Sequence, residues 1–435
     1  MPGPTLFVPP RRARRGAALT LVFMGALAAG AATAAWGAAD GRPARPPAGE
    51  HGERQVLSHA VGRSAVAPRA ADRHAADRHT VDRRAVEAAA ERAVQDGKSG
   101  SEAAAELLSR SGDAWSAVYT PREYEGFALA LDGAYVGVGL TTRRAEDGRM
   151  EVDGVRPGGP AERAGIAPGD RLLTVDGADV TGRPVTEVVS LLRGDGRSLG
   201  SWPVSAPGTT VRLGLQRGAE RWERTLRRER LVTESVEVEE LSRGAAGTLP
   251  ATLIKVSSFT RGTGERVRAA VREAAPGEGI LLDLRGNSGG LVAEAVTAAS
   301  AFLDGGLVAT YDVRGSRHVL RAEPGGDTRR PLVVLVDGGT MSAAELLTGA
   351  LQDRGRTVVV GSRTFGKGSV QMPSRLADGS VAELTVGHYR TPAGRAVDGA
   401  GITPDLAVQG PAGDGGEKDA EARGRRVLSG LGGGA

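Results

Sequence analysis

The sequence predicts a multidomain α/β protein, and three stretches of pattern predict it. From about Thr252 onward, short continuous apolar runs alternate with helical ones. Between about 127 and 230, short β-type runs are separated by glycine-rich turns, which marks a smaller, mostly-β unit. Ahead of both, from about Val86 to Ser111, Ala, Val and Leu recur at three- and four-residue spacing, an N-terminal helical segment. A hydrophobic fraction of 40% and a charged fraction of 25% belong to a globular chain, and 435 residues suffice for two or three cores.

The elements follow in order. Arg11, Arg12, Arg14 and Arg15 form a basic cluster ahead of an uncharged, mostly apolar run from Gly16 to Ala39. Such a pair reads as an export signal or membrane anchor: about 20 apolar residues span a bilayer, and Ala32-Thr33-Ala34 offers a small-residue cleavage site. The remainder is therefore expected outside the cytoplasm, anchored on the outer face or secreted. Residues 40–85 repeat Ala, Arg, Pro, His and Asp loosely and bury too little to offset ordering entropy, so they read as a disordered spacer. Its His51, His59, His74 and His79 are read as solvated. The mostly-β unit holds YVGVGL (135–140), PAERAGIAPGDRLLTVDG (160–177), a helical VTEVVSLLRG (185–194) and TVRLGLQRG (210–218). In the α/β region, LIKVSSF (253–259) precedes a helix near 263–274. GILLDL (279–284) leads through a Gly-rich turn into a helix at 291–303, and PLVVLVD (331–337) leads through GGTM into a helix at 342–353. TVVVG (357–361) then reaches an FGKGSVQ hairpin. Continuous apolar strands separated by helices imply a sheet buried on both faces. The Gly-rich and charged residues 411–435 are expected to be disordered.

Composition also excludes chemistries. Cysteine is absent, which removes a thiol nucleophile, disulfides and Cys-ligated metal. A net charge of +4, with much of the basic excess in the first hundred residues, gives no basic stripe for nucleic acid. Beyond the spacer only His318 and His388 remain, neither at a strand end beside a Gly-rich turn, so a Ser-His-Asp triad has no obvious base. There is no HExxH, and no metal or organic cofactor is implied.

Ser342 is what remains. It follows an apolar strand and a Gly338-Gly339 turn and opens a helix, so the N–H of Ala343 joins the unpaired donors at a helix start. Those donors suit a developing oxyanion, although serine is also a favoured helix cap with no catalytic role. Lys367 sits between Gly366 and Gly368 directly after a buried strand. Partial enclosure lowers a lysine pKa and frees the amine to act as a base toward a hydroxyl. Gln371, on the same face if the chain is extended, could orient that amine, and a Gln-capped structural lysine is the alternative. The turn containing Gly289 and Gly290 offers further backbone N–H groups at another helix start.

Taken together, YVGVGL, PAERAGIAPGDRLLTVDG, LIKVSSFT, LLDLRGNSGG, GTMSAAELLTGALQDRGR, VVVGSRTFGKGSVQ and GAGITPDLAV resemble the carboxy-terminal processing peptidases, or tail-specific proteases, from about Asp113 to Val408. The resemblance implies a crotonase-like α/β protease core, about 231–410, with a PDZ domain at about 127–230 inserted ahead of it. It implies a serine endopeptidase with a Ser342–Lys367 pair supported by Gln371, an acyl-enzyme intermediate, and an oxyanion hole from Ala343 and either Gly289 or Gly290. A PDZ domain captures a terminal carboxylate on backbone N–H groups, which points to Val136, Gly137, Val138 and Gly139. The implied partners are protein or peptide substrates with apolar C-termini, not nucleic acid; a membrane is contacted if the N-terminal segment is uncleaved, and oligomerisation stays open. Asp353, at the end of the Ser342 helix, is read as structural. The family often has serines where Thr340 and Ala344 stand, Ser288 replaces a commoner proline or glycine, and 194–211 is longer than the usual link. A silent peptide-binding scaffold and an acyl-CoA enzyme are the competing classes; the intact Ser-Lys-Gln set opposes the first and an exported location the second.

Overall fold

The computed structural model describes residues 82–145, 147–194, 206–243, 248–313, 316–408 and 414–432. The apolar run 16–39, the spacer up to residue 81 with its histidines, and most of the long link after Gly194 lie outside the described residues. Among the described residues, no helix is long and apolar enough to cross a membrane.

A six-stranded sheet forms the centre. Its order is Val236–Leu241, Ala251–Val256, Gly279–Asp283, Leu332–Val336, Val358–Gly361 and Leu406–Ala407. The first pair is antiparallel and every later pair parallel. Side chains alternate across a strand, so an apolar run fills both faces at once. Ile254, Ile280, Leu282, Val334 and Val359 face the helices Thr263–Glu273, Val292–Ser300 and Ala343–Asp353. Leu253, Leu281, Val333, Leu335 and Val360 face the other way.

That second face is covered by the segment expected to be disordered. Residues Asp414–Gly432 form a helix, and Leu428 is buried against Leu281 and Leu335 in that layer. Over the described residues 414–432, the expectation of disorder failed because composition hid the fit. The glycines that lower helix propensity permit close approach here, since a Cβ on Gly424 would lie 2.9 Å from Leu335 and one on Gly279 would lie 2.7 Å from Leu428.

A second sheet runs Ala117–Tyr119, Val381–Arg390, Gly306–Val313, Ser316–Ala322, with Ser369–Arg375 also pairing to Val381–Arg390. FGKGSVQ is thus a loop followed by a strand. Helices Arg83–Gln95 and Gly100–Arg110 pack on this sheet through Val86, Ala90, Ala104 and Leu108. The helical pattern read as one run breaks where Gly97 takes φ +71° and Ser99 starts the second helix by capping Glu102 N–H. Helix Pro121–Leu131, started by a capping box between Thr120 and Glu123, then carries the chain away.

The mostly-β unit has its own core of Met150, Leu172, Val175, Leu213 and Leu215, closed by Val188 and Leu192 of helix Val185–Arg193. Its sheet order is Leu140–Arg144, Met150–Val155, Arg171–Val175, Thr210–Arg217, Glu220–Arg227, which leaves Leu140–Arg144 as an edge. Entry strand Ala134–Gly137 pairs antiparallel with exit strand Glu229–Val232.

Candidate active site

The site lies where strand ends of the central sheet meet the loop ahead of Ser369–Arg375. Two turns are stitched together there. Asn287, fully buried, donates from Nδ2 to Val256 O (2.8 Å) and accepts Met341 N–H at its carbonyl (2.8 Å). Gly286 N–H donates to Asp337 Oδ1 (2.9 Å), and Thr340 Oγ1 to Leu284 O (2.9 Å). Thr340, one of the departures from the resembled family, is therefore a fixing point. Gly339 approaches so closely that a Cβ would sit 2.9 Å from Gly286 Cα.

Out of this frame rises Ser342, 6% exposed, with φ +55° and ψ −115°. A left-handed φ is costly for any residue with a Cβ, and the surroundings hold it. Its N–H donates to Glu345 Oε2 (2.9 Å) one turn into the helix. Ala343 follows as the first helical residue, where its N–H precedes the intrahelical ladder. The turn glycine Gly289 (φ +96°) faces this point: a Cβ there would lie 2.9 Å from Ser342 Cβ and 3.1 Å from Ala343 N. Only glycine leaves that space open.

The two candidate glycines differ. Gly289 N–H donates to Asn287 Oδ1 (2.8 Å), and Gly289 O accepts Phe259 N–H (2.8 Å). Across a trans peptide the N–H points opposite to the preceding carbonyl, so Gly290 N–H points away from Phe259.

Lys367 is completely buried. Loss of water pulls its amine from the ordinary 10.5 down to about 7, although the carboxylates of Asp113, Glu383, Asp398 and Glu345 each favour the cation. Its Nζ stands over the ring of Trp115, 4.9 Å from the centroid. Shared partners bring Lys367 and Ser342 together. Glu345, completely buried, also accepts Lys367 N–H (2.8 Å), Gly366 N–H (2.7 Å) and the Thr364 hydroxyl. Burial pushes its carboxyl up, and these donors hold the rise in check. Tyr389, buried with its hydroxyl well above the usual phenol range, reaches Ser342 O (2.9 Å) and Lys367 O (3.1 Å). Carboxylate and phenol thus clamp both candidate catalytic residues by their backbones.

Gln371 lies on the strand after Lys367, and its Nε2 donates to Ser369 Oγ (2.8 Å) and Thr385 Oγ1 (3.3 Å). Asp353 binds Ala393 N–H (2.8 Å) and the Arg395 guanidinium, a structural bond. His318 stacks on Tyr311 with centroids 4.9 Å apart, while His388 lies 3.3 Å from Asp398. In the mostly-β unit, Val136 and Gly137 end the entry strand, Val138 is buried, and Gly139 takes φ +78° ahead of the edge strand. The carbonyls of Val138 and Gly139 accept Ala161 and Arg156 N–H, so the loop is held from its carbonyl side. None of Glu345, Tyr389, Trp115, Asp113 or Glu383 was singled out from sequence. Glu345 had a readable signal, since a serine followed three residues later by glutamate is a capping-box spacing. The others become neighbours only through the second sheet.

Residues 251–408 match peptidase family S41, and residues 151–199 match a PDZ domain. The chain is 34% identical over 324 residues to the chloroplastic C-terminal processing peptidase of Tetradesmus obliquus, covering 71% of this chain and 67% of that one. It is 32% identical over 304 residues to the carboxy-terminal processing protease CtpA of Bacillus subtilis, covering 69% of this chain and 61% of the relative. The chain thus spans about six tenths of that bacterial relative's length. Among solved structures, a photosystem II D1 C-terminal processing protease shares 30% identity with a TM-score of 0.46, covering 76% of this chain and 86% of that one.

Proposed function

Because the chain belongs to the C-terminal processing peptidases of family S41, we propose that it is a serine endopeptidase that cleaves near the C-terminus of exported proteins, with Ser342 as nucleophile and Lys367 as base. The observation that carries this reading is the pairing of a strained, helix-opening Ser342 with a fully buried lysine whose amine is near neutrality, both clamped by Glu345 and Tyr389.

Ser342 Oγ attacks the scissile carbonyl carbon while Lys367 Nζ takes its proton. The oxygen, now anionic, is received by Ala343 N–H at the helix start and by Gly290 N–H, since Gly289 N–H is committed to Asn287. Collapse breaks the C–N bond, Lys367 returns the proton to the leaving amine, and an acyl-enzyme remains. Water then attacks, Lys367 takes one of its protons, and that proton goes back to Ser342 Oγ as the ester bond breaks. Gln371 is the supporting member of the set, its Nε2 held by Ser369 and Thr385 on the sheet beside Lys367.

The core is read as crotonase-like, with the PDZ domain inserted. Strand Ala117–Tyr119, ahead of the mostly-β unit in sequence, pairs with Val381–Arg390 beyond it, so the chain leaves the core and returns. Substrate tails add to the edge strand Leu140–Arg144 and place their carboxylate on the Gly137–Gly139 loop. The basic-then-apolar N-terminus supports an extracytoplasmic location. The test incubates the full chain, Ser342→Ala and Lys367→Ala with an unfolded protein bearing an apolar C-terminus. Cleavage falls by at least about 10³-fold in both variants; equal cleavage by all three contradicts the assignment.

A further inference from the structure

Phe365, on the loop that carries Lys367, is 38% exposed, yet its backbone is pinned. Its N–H donates to Thr340 O (3.0 Å), and on either side of it the Thr364 hydroxyl and Gly366 N–H both donate to Glu345. Its ring meets Trp115 edge to face, with centroids 5.9 Å apart and planes at 68°. Trp115 in turn has Lys367 Nζ over its ring, 4.9 Å from the centroid. A completely buried amine is thus followed outward by a half-buried indole and an exposed phenyl.

The indole comes from the other side of the site and is held as firmly. Trp115 N–H donates to Asp113 Oδ1 (2.8 Å), and the Ser116 hydroxyl donates to the same carboxylate. Ser116 Oγ also accepts Thr385 N–H (2.8 Å), which ties this turn to strand Val381–Arg390, and Ala117 then pairs with Glu383 of that strand.

We propose that Trp115 is a positioning residue for the Lys367 amine: its ring, braced by Phe365, covers Nζ on the solvent side and keeps water from it. This rests on Lys367 being the base. The charged groups around the amine are Asp113 on the Trp115 turn, Glu345 on helix Ala343–Asp353, Glu383 on strand Val381–Arg390, and Asp398, and each favours the cation. An aromatic face attracts a cation too. The amine nevertheless falls from 10.5 to about 7, so exclusion of water outweighs all of these attractions. Removing the indole opens a space beside a polar group, which water fills. The amine then moves back toward its solvated value and holds its proton to higher pH. Loss of the ring's attraction alone would move it the other way, so the sign of the shift identifies the role.

The experiment uses the full chain, Trp115→Ala, Trp115→Phe and Phe365→Ala, with far-UV circular dichroism confirming folding. It measures kcat/KM against pH, each profile normalised to its own alkaline plateau. It also measures reductive methylation of Lys367 by formaldehyde and cyanoborohydride, by peptide mapping, with exposed Lys98 as the internal reference. Trp115→Ala moves the acidic limb to higher pH by about one unit, or about tenfold in relative activity on the limb. The same variant methylates Lys367 at least about tenfold faster than wild type relative to Lys98. Trp115→Phe, which keeps an aromatic cover, restores most of both effects, and Phe365→Ala changes both in the same direction by less. An acidic limb in Trp115→Ala that stays at its wild-type position or moves to lower pH overturns the proposal, and so does unchanged methylation. Should Trp115→Ala fail to fold, Phe365→Ala decides by the same two readouts. Lys367→Ala run in parallel separates the two readings: undiminished activity there overturns the dyad itself, whereas a dead Lys367→Ala beside an unshifted Trp115→Ala overturns only the role of Trp115.

Discussion

Lys367 is the proposed base, and its burial has a stability consequence independent of that role. The amine is 10.5 when solvated and about 7 when folded. Below about pH 7 both states hold the proton and the full cost of a buried cation is present. Between about 7 and 10.5 the unfolded chain binds more protons than the folded one, so stability rises with pH, and above that range the cost is gone. Lys367→Met therefore raises stability by an amount on the order of a few kcal/mol at pH 7, and chemical denaturation at pH 7 and pH 10 shows the gain shrinking at the higher pH. A gain that is equal at both, or a loss at pH 7, contradicts the burial argument. With Lys367 as the proposed base, kcat/KM is expected to rise through about pH 7 and level off above it as the amine loses its proton. Much of this was readable in advance. A lysine between glycines after a buried strand signals enclosure, and a serine after a Gly-Gly turn signals a helix start. The clamp was not, because Glu345 looks like an ordinary cap and Tyr389 reaches the site only through strand pairing some fifty residues later in the chain.

At the scale of elements, the central strands were legible because both of their faces are buried, which leaves an unbroken apolar run. The C-terminal helix was not, since its apolar contacts are spaced among Gly, Glu and Arg and its partner is a sheet face that no local pattern announces. Its contribution is testable. Leu428 is 4% exposed in the layer formed by Leu281, Val333 and Leu335. Leu428→Ala costs about 2–4 kcal/mol, read as a lower denaturation midpoint with an unchanged m-value. A change below about 0.5 kcal/mol, ordinary for a surface site, would mean that the helix does not cover the sheet. The edge strand Leu140–Arg144 carries a different prediction. Gly139 at φ +78° has Arg156 against it, where a Cβ would lie 3.2 Å away, so Gly139→Val distorts the loop. It raises KM for substrates with a free C-terminus by about tenfold or more while sparing those without one. Equal KM values for both substrate types in wild type and variant would remove the loop from substrate capture.

For the molecule as a whole, the decisive feature is that the chain passes through the core, out to the PDZ unit and back. Strand Ala117–Tyr119 and the aromatic helix after it belong to the core that matches family S41 by contact, although they precede the PDZ unit in sequence. Sequence gave the order of the units without this closure, because pairing between residues near 118 and residues near 382 leaves no local trace. Closure is what brings Trp115, and Asp113 bonded to its N–H, to the loop that carries Lys367. The central claim, that Ser342 is a nucleophile served by a neutral Lys367, is tested most directly by acylation. The full chain is treated with an acylating β-lactone probe across about pH 5 to 9, the adduct is counted by intact mass, and its position is found by peptide mapping. One adduct per chain on Ser342, forming faster as pH rises through about 7 and at least about 10²-fold slower in Lys367→Ala, is the predicted result. Modification at another residue, or an equal rate in Lys367→Ala, would contradict it.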